Sequence, residues 1–317
     1  RDPTRRKFDP DVTKPTIDDN IIKSGVMRLT YQVSRQHKLA AYADGLIKYR
    51  GHECATNVFP TEEACGIRSP KRYYMAQVKY TGTLSSSMLV EAGWSENDET
   101  YSTNEVQEES TPLDVGRVDR ITTDRWGSVI GPYYHREPDR HTFSGSASYV
   151  TGAHAAKIGF QLGKGSNIHQ RAMNGGIDLY QEYNNKVPAS VMIYNTPQNT
   201  KERIKYDLGI YVQDSLRFNR LTVNPGVRFE FFNTYIPAQS SPAGQFVPAR
   251  SFDKIENLPN WRDIAPRLGF VYDVFGDSKT AIKVHAGKYM RAFSTVGFAQ
   301  VYNPNTVQTD RRTWTDL

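Results

Sequence analysis

The segment ERIKYDLGIYVQDSLRFNRLTVNPGVRFEFFNTYIP, residues 202–237, limits what this chain can fold into more than any other. Ile204, Tyr206, Leu208, Ile210 and Val212 fall on one parity, continued by Leu216 and Phe218. Arg203, Lys205, Asp207, Gly209, Tyr211, Gln213, Ser215 and Arg217 fall on the other. After Arg220 the alternation resumes, with Leu221, Val223, Val227, Phe229 and Phe231 against Thr222, Asn224, Arg228 and Glu230. Successive strand side chains point to opposite faces, so both segments read as two-faced strands. Each runs to about fifteen residues, where an ordinary strand has roughly five or six.

The pattern recurs in pairs. Met27, Leu29, Tyr31 and Val33 lead through a turn at Arg35–Gln36 to Leu39, Ala41, Ala43, Ile47 and Tyr49. Tyr74, Ala76, Val78 and Tyr80 turn near Gly82 into Leu84, Met88, Val90, Ala92 and Trp94. Phe143, Gly145, Ala147 and Tyr149 turn at Thr151–Gly152 into Ala156, Ile158, Phe160 and Leu162. The opening segment turns at Phe218–Asn219. The last pair sets Ile264, Leu268, Phe270, Tyr272 and Val274 against Ile282, Val284 and Ala286. The expectation is about ten long strands in five tight hairpins, residues 1–317 forming part of one domain. Between hairpins the chain wanders through residues 51–70, 97–140, 165–202 and 236–261, and opens again after 292. These stretches are polar, and one carries the acidic run SENDETYSTNEVQEES. Another, around Asn184–Lys186, reads as an extra hairpin.

Long structureless loops are uncommon in compact domains, so their strict alternation with tight turns asks for one cause. A transmembrane β-barrel supplies it. Crossing a bilayer takes roughly nine to eleven tilted residues per strand. Backbone groups in hydrocarbon must all be paired, which requires a closed sheet. One face meets lipid and the other a wet lumen, with short turns on the periplasmic side and long loops outside. The fold class expected is therefore all-β, an antiparallel transmembrane barrel lying in outer-membrane lipid. Tyr31, Tyr49, Tyr73, Tyr74, Trp94, Tyr149, Phe218 and Tyr235 are the candidate interfacial aromatics. Hydrophobic residues are only 38% of the chain, and no run approaches the roughly 18 apolar residues of a membrane helix. A barrel permits that polarity, because its apolar residues occupy alternate positions. A soluble secreted β-protein would share the alternation but not the strand length or the loop pattern. Pro225 and Pro266 interrupt proposed strands, where bulges or strand starts are expected. Asp214 is placed near the periplasmic rim, and Arg28 has no account.

LGIYVQDSLRFNRLTVNPGVRFEFF resembles a barrel hairpin of TonB-dependent outer-membrane receptors. Tyr211, Gln213, Asp214, Leu221, Thr222, Asn224, Gly226, Arg228 and Glu230 carry the likeness. IAPRLGFVYDVFGDSKTAIKVHAGKYMR resembles the next hairpin of the Oar-like branch, through Ala265, Pro266, Arg267, Gly269, Tyr272, Asp273, Gly276 and Lys279. NKVPASVMIYNTP looks like a loop of the same branch. The likeness is specific from about 175 to 292. It implies a Gram-negative outer membrane and an about 22-stranded barrel with a plugged lumen. It also implies a plug domain, an inner-membrane energy-coupling complex and a transported ligand, a large solute or polypeptide. Plug, coupling box and terminal strand are not recognised here, so the chain is expected to be an internal portion of such a barrel. A non-transporting surface barrel, binding a partner through its loops, is the alternative.

The chemistry expected is sparse. The net charge of +6 is scattered along alternating strands and forms no nucleic-acid stripe. Cys54 and Cys65, eleven positions apart in one loop, suit a disulfide in an oxidising compartment. A metal pair is the competing assignment, with only His52 and Glu53 nearby. GFQLGKGS lacks the Ser or Thr a phosphate loop needs after Lys164, SFDK lacks companion motifs, and GHE lacks a second His. No enzyme, cofactor or metal assignment follows. The acidic loop could offer oxygen ligands to calcium but has no loop consensus. Lys205, Asp207, Arg228, Glu230, Lys283 and His285 are expected to face the lumen.

Overall fold

The computed structural model describes residues 17–54, 61–290 and 295–314. The strands in chain order are β1 (Ile21–Gln32), β2 (His37–Glu53), β3 (Gly66–Thr83), β4 (Met88–Glu105), β5 (Arg117–Asp119) and β6 (Arg125–Trp126). They continue as β7 (Tyr133–Thr151), β8 (His154–Ala172), β9 (Leu179–Asn184), β10 (Val187–Tyr194), β11 (Gln198–Gln213) and β12 (Leu216–Phe218). The last six are β13 (Leu221–Tyr235), β14 (Gln239–Ser241), β15 (Arg250–Phe252), β16 (Asn260–Asp273), β17 (Ala281–Gly287) and β18 (Thr309–Thr313). No described helix is long and apolar enough to cross a membrane.

The ten long strands form one sheet in the order β1-β2-β3-β4-β7-β8-β11-β13-β16-β17, with every neighbouring pair antiparallel. β1 and β17 are its two edges among the described residues. Adjacency follows the chain because four-residue or shorter turns close several of the hairpins. The β7–β8 turn has only Gly152 and Ala153, and Gly152 takes φ 51°, which a glycine adopts without strain.

Register places the two faces in separate environments. One cross-strand row reads Tyr31, Leu39, Tyr80, Ala92, Gly145, Phe160, Ile210, Phe229 and Ile264. The adjacent row on the opposite face reads Thr30, Ala40, Lys79, Gly93, Ser144, Gln161, Gly209, Glu230 and Asp263. The first is an outward lipid belt, the second a wet inner wall. Gly145 fits the belt because the Phe160 ring lies over it, where a Cβ would meet Phe160 Cε1 at 2.6 Å. On β7 the belt runs from Tyr149 to Phe143, about 20 Å along the strand at roughly 3.3 Å per residue, or about 15 Å in height at the usual tilt. Large apolar side chains therefore lie open to the surroundings, Ile158 at 57% and Ile264 at 55% exposure.

The strands do not stop where the belt stops. Beyond Trp94, Phe143 and Leu162 both faces turn polar, yet pairing continues to Glu105 on β4, Tyr133 on β7 and Ala172 on β8. This corrects the boundaries expected from sequence. The acidic run placed in a loop is strand from Ser95 to Glu105. Polar residues on both faces carry no alternation, and backbone pairing extends the ladder there together with cross-strand polar contacts such as Arg72–Asp98.

A β-bulge between Ile204 and Tyr206 or Asp207 interrupts the parity count that began at Ile204. Ile204 sits opposite Gly165 on the inner face, 8% exposed, while Leu208 faces outward. Lys205 falls in the bulge and has no ladder partner. Tyr73 is a second correction. It opposes Glu99 on the inner face, and only its neighbour Tyr74 joins the outer aromatics. Arg28 opposes Tyr42, on the face away from Met27 and Leu29, so it belongs to the inner wall.

Neither proline marks a bulge or a strand start. Pro225 lies within β13 and accepts from Asp214 N–H at 3.0 Å, and Pro266 lies within β16 and accepts from Lys288 N–H at 2.9 Å. In an antiparallel pair both backbone groups of a residue face the same neighbour. Each missing donor therefore faces a strand that has just ended, β11 at Gln213 and β17 at Gly287. Asp214 fills the break between β11 and β12 at the short-turn end. Its carboxylate accepts from Ala155 N–H at 3.0 Å and Ser215 N–H at 2.8 Å, and meets His154 Nδ1 at 2.8 Å.

The long connections are ordered rather than structureless. β18, β10, β9, β5 and β6 form a second sheet beyond the projecting strands. Asn185 and Lys186, at φ 47° and 68°, make the β9–β10 turn expected from sequence. Trp126, Tyr183 and Trp314 pack together, with ring centroids 5.0 and 6.0 Å apart. Asp119, 2% exposed, fastens two turns. Its carboxylate accepts from the N–H groups of Lys186 at 2.6 Å, Ile121 at 2.9 Å, Thr122 at 3.2 Å and Asn185 at 3.3 Å. Burial works against its charged form, but these four donors outweigh that and hold the carboxyl below its ordinary value.

Candidate functional site

At membrane level the inner wall is lined with charges that neutralise one another. Glu91 bridges Lys79 at 2.7 Å and Lys157 at 3.4 Å across three strands. Asp207 pairs with Arg140 at 2.5 Å, and Glu230 pairs with Arg228, whose guanidinium also lies 5.7 Å from the Tyr211 ring centre. Of the six residues expected in the lumen, Asp207, Arg228, Glu230, Lys283 and His285 share this face, while Lys205 is displaced into the bulge. These pairs neutralise much of the charge on this face, while Arg28 and Lys283 have no carboxylate partner among the described residues.

Above the belt the inner wall changes character. Arg136 on β7 donates to Tyr101 Oη at 2.7 Å and lies near the Tyr101 and Tyr134 rings, 5.6 and 5.7 Å from their centres. His169, opposite Arg136 in register and 1% exposed, stands between Arg136 and Arg171. Glu202 on β11 is fully buried. It accepts from Asn303 Nδ2 at 2.7 Å and Asn167 Nδ2 at 3.4 Å. Asn303 belongs to a segment following the Thr295–Gly297 turn, which folds back onto the inner face. There Phe298 packs edge-on against Trp261 at 4.7 Å, and Asn305 donates to Asn199 O at 2.6 Å. Sequence analysis missed this segment because its partners lie about a hundred residues away and its asparagines follow no period.

The remaining sequence candidates land in structural positions. Cys54 and Cys65 form a disulfide just beyond the last β2–β3 pair, Glu53 with Gly66, which sets the two cysteines opposite each other. Gln107 ties this point to the next connection by donating to Gly51 O at 2.8 Å and Cys65 O at 2.9 Å. GFQLGKGS lies mid-strand in β8, where its backbone N–H groups serve the ladder. Register also creates a chain that the sequence hid. Ser102 Oγ meets His135 Nδ1 at 3.0 Å, and His135 Nε2 meets Glu137 at 3.0 Å. It has the order of a nucleophile, base and carboxylate, but Ser102 is 2% exposed and sits in a regular strand that leaves no donors for an oxyanion. No group of three or more His, Cys, Asp or Glu among the described residues is arranged to hold a metal ion.

A polar inner wall, an outward apolar belt and strands joined by short turns at one end define an outer-membrane β-barrel. The chain belongs to the outer membrane beta barrel domain family, whose pattern it matches over residues 9–315. It is accordingly a protein of the Gram-negative outer membrane. No curated protein matches it. Among solved structures it is similar to the outer membrane transporter YddB from Escherichia coli, at 13% identity and a TM-score of 0.53, covering 84% of this chain and 31% of that one. It is also similar to the ferric citrate transporter FecA in its unliganded form, at 10% identity and a TM-score of 0.52, covering 81% and 34%. At these identities the likeness is one of fold, and the chain spans about a third of each transporter's length.

Proposed function

We propose that this chain is part of the barrel wall of a TonB-dependent receptor of the Oar-like branch, which moves a large solute or polypeptide across the outer membrane. The observation that carries the proposal is the division of the inner wall. Many of its charges pair with one another at membrane level, and above the bilayer it presents the partly exposed guanidinium groups of Arg136 and Arg171 over a buried amide network, where a solute would arrive. The family motifs at Tyr211–Glu230 and Ala265–Lys279 support the branch. The rest of the barrel, a plug and an inner-membrane energy-coupling complex are the partners this function requires, and the remaining strands would pair with the open edges of β1 and β17.

The test uses the full-length protein purified in detergent. Its binding to the periplasmic domain of the energy-coupling protein is measured by surface plasmon resonance. Saturable binding that strengthens when the cognate solute is added is expected of a receptor. No binding with or without outer-membrane extract would sink the transport proposal. It would leave the alternative, a surface barrel that engages a partner through the packed outer sheet.

A further inference from the structure

The strongest unassigned feature is the group Arg136, His169 and Arg171 on the inner wall above the membrane. Arg136 Nε donates to His169 Nε2 at 2.9 Å, while Arg171 Nη2 lies 3.3 Å from His169 Nδ1. A neutral imidazole has one lone pair and one N–H, so it accepts from one guanidinium only. The shorter contact takes the lone pair. Nδ1 then carries the proton, and Arg171 Nη2 faces another donor. Arg171 Nη1 donates to the neutral Gln198 Oε1 at 2.6 Å.

Charge balance points the same way. Among the described residues neither guanidinium has a carboxylate within 4.0 Å. Arg136 leans on the Tyr101 and Tyr134 rings instead. Glu99 and Glu202 act on the pair only at longer range, and the Glu202 oxygens are already engaged by Asn303 and Asn167. Lys79, Arg140, Lys157 and Arg228 on the same wall have carboxylate partners, whereas Arg28 and Lys283 are, like this pair, without one among the described residues. Arg171 also lines a concavity with Gln300, Thr306 and Glu202, and burial pushes the Glu202 carboxyl above its ordinary value, toward the neutral form. Two neighbouring cations, the Nη2 donor of Arg171 turned toward another donor and an open concavity form a site suited to an anion.

We propose that Arg171, supported by Arg136 and positioned by His169, binds an oxyanion, a carboxylate or phosphate group carried by a solute that enters along the inner wall. The planar guanidinium fork matches two oxygens of such a group, and a charge-assisted pair is about twice as strong as a neutral hydrogen bond. The proposal goes beyond the transport function, because the site binds whether or not the barrel transports.

The test is calorimetric titration of the full-length protein in detergent at pH 7.5 and low salt. The probes are inorganic phosphate, citrate and, as a neutral control, maltose. Saturable binding of phosphate or citrate but not maltose is expected, weakened about tenfold or more in Arg171→Gln and unchanged in Lys157→Gln. Tighter phosphate binding assigns a phosphorylated solute, and tighter citrate binding a carboxylate. If Arg171→Gln yields no heat-shifted barrel on an unboiled gel, Arg171→Lys is read instead. A point charge without the fork should lose about threefold or more. Binding by neither anion in the wild type, or equal binding in the folded Arg171 variant, would overturn the proposal.

Discussion

At the residue scale, the same side chain has opposite consequences depending on parity. Phe160 and Gln161 are neighbours in β8, one in the lipid belt and one on the wet wall. Phe160→Arg should destabilise the barrel by about 2–4 kcal/mol, the usual penalty for a cation on the lipid face near the bilayer midplane. Gln161→Arg should be nearly neutral. Heat-shift midpoints of the two variants check this, and equal midpoints would contradict the assignment of faces. Asp119 gives a pH-dependent prediction. Its carboxyl is held below its ordinary value in the fold, so its contribution is fully present above the unfolded value of about 4 and fades as pH falls through the folded value. Asp119→Asn should weaken the anchoring of both turns by about 1–3 kcal/mol at neutral pH. Hydrogen exchange at Ile121, Thr122, Asn185 and Lys186 should then speed up, and the difference from wild type should shrink in acid.

At the element scale, alternation was legible wherever one face met lipid and the other water. All ten long strands and the β9–β10 hairpin could be placed from it. It failed where both faces are wet. Ser95–Glu105 has no contrast to count, and its strand character depends on the ladder with β7. It failed again at the bulge, because one unpaired residue exchanges the faces of everything before it. Deleting Lys205 should remove the bulge and keep Glu202 on the inner face beside Asn303, because Ile204 and Tyr206 already face opposite ways. The expected result is an assembled, heat-shifted barrel with unchanged proteolysis in residues 295–308. Faster proteolysis there would show that the bulge itself holds this segment. The Arg136–His169–Arg171 group was illegible for a related reason, since it exists only once β7 and β8 are in register. The cysteines are the simpler case. Peptides containing Cys54 and Cys65 should stay joined in mass spectra without reductant. The double serine variant should keep its heat shift while losing about 2–3 kcal/mol of local stability, seen as faster clipping of the β2–β3 connection.

At the scale of the whole molecule, the sheet is an arc with two open edges among the described residues. An unpaired backbone group in hydrocarbon costs several kcal/mol, so these edges require partners within the membrane. The full-length protein should therefore migrate faster unboiled than boiled on a denaturing gel. Identical mobility would deny closure.

The continuation of the strands past the belt has a consequence of its own. From Ser95 to Glu105 the ladder climbs about 33 Å along the strand, or roughly 25 Å in height at the tilt usual for such barrels. The small outer sheet is thus carried on stilts, clear of the headgroups and level with whatever sugars coat the cell. A visiting molecule would touch this raised platform before it touched the membrane. Phages, antibodies and proteases would find the same platform first, which makes it the part of the protein most open to attack.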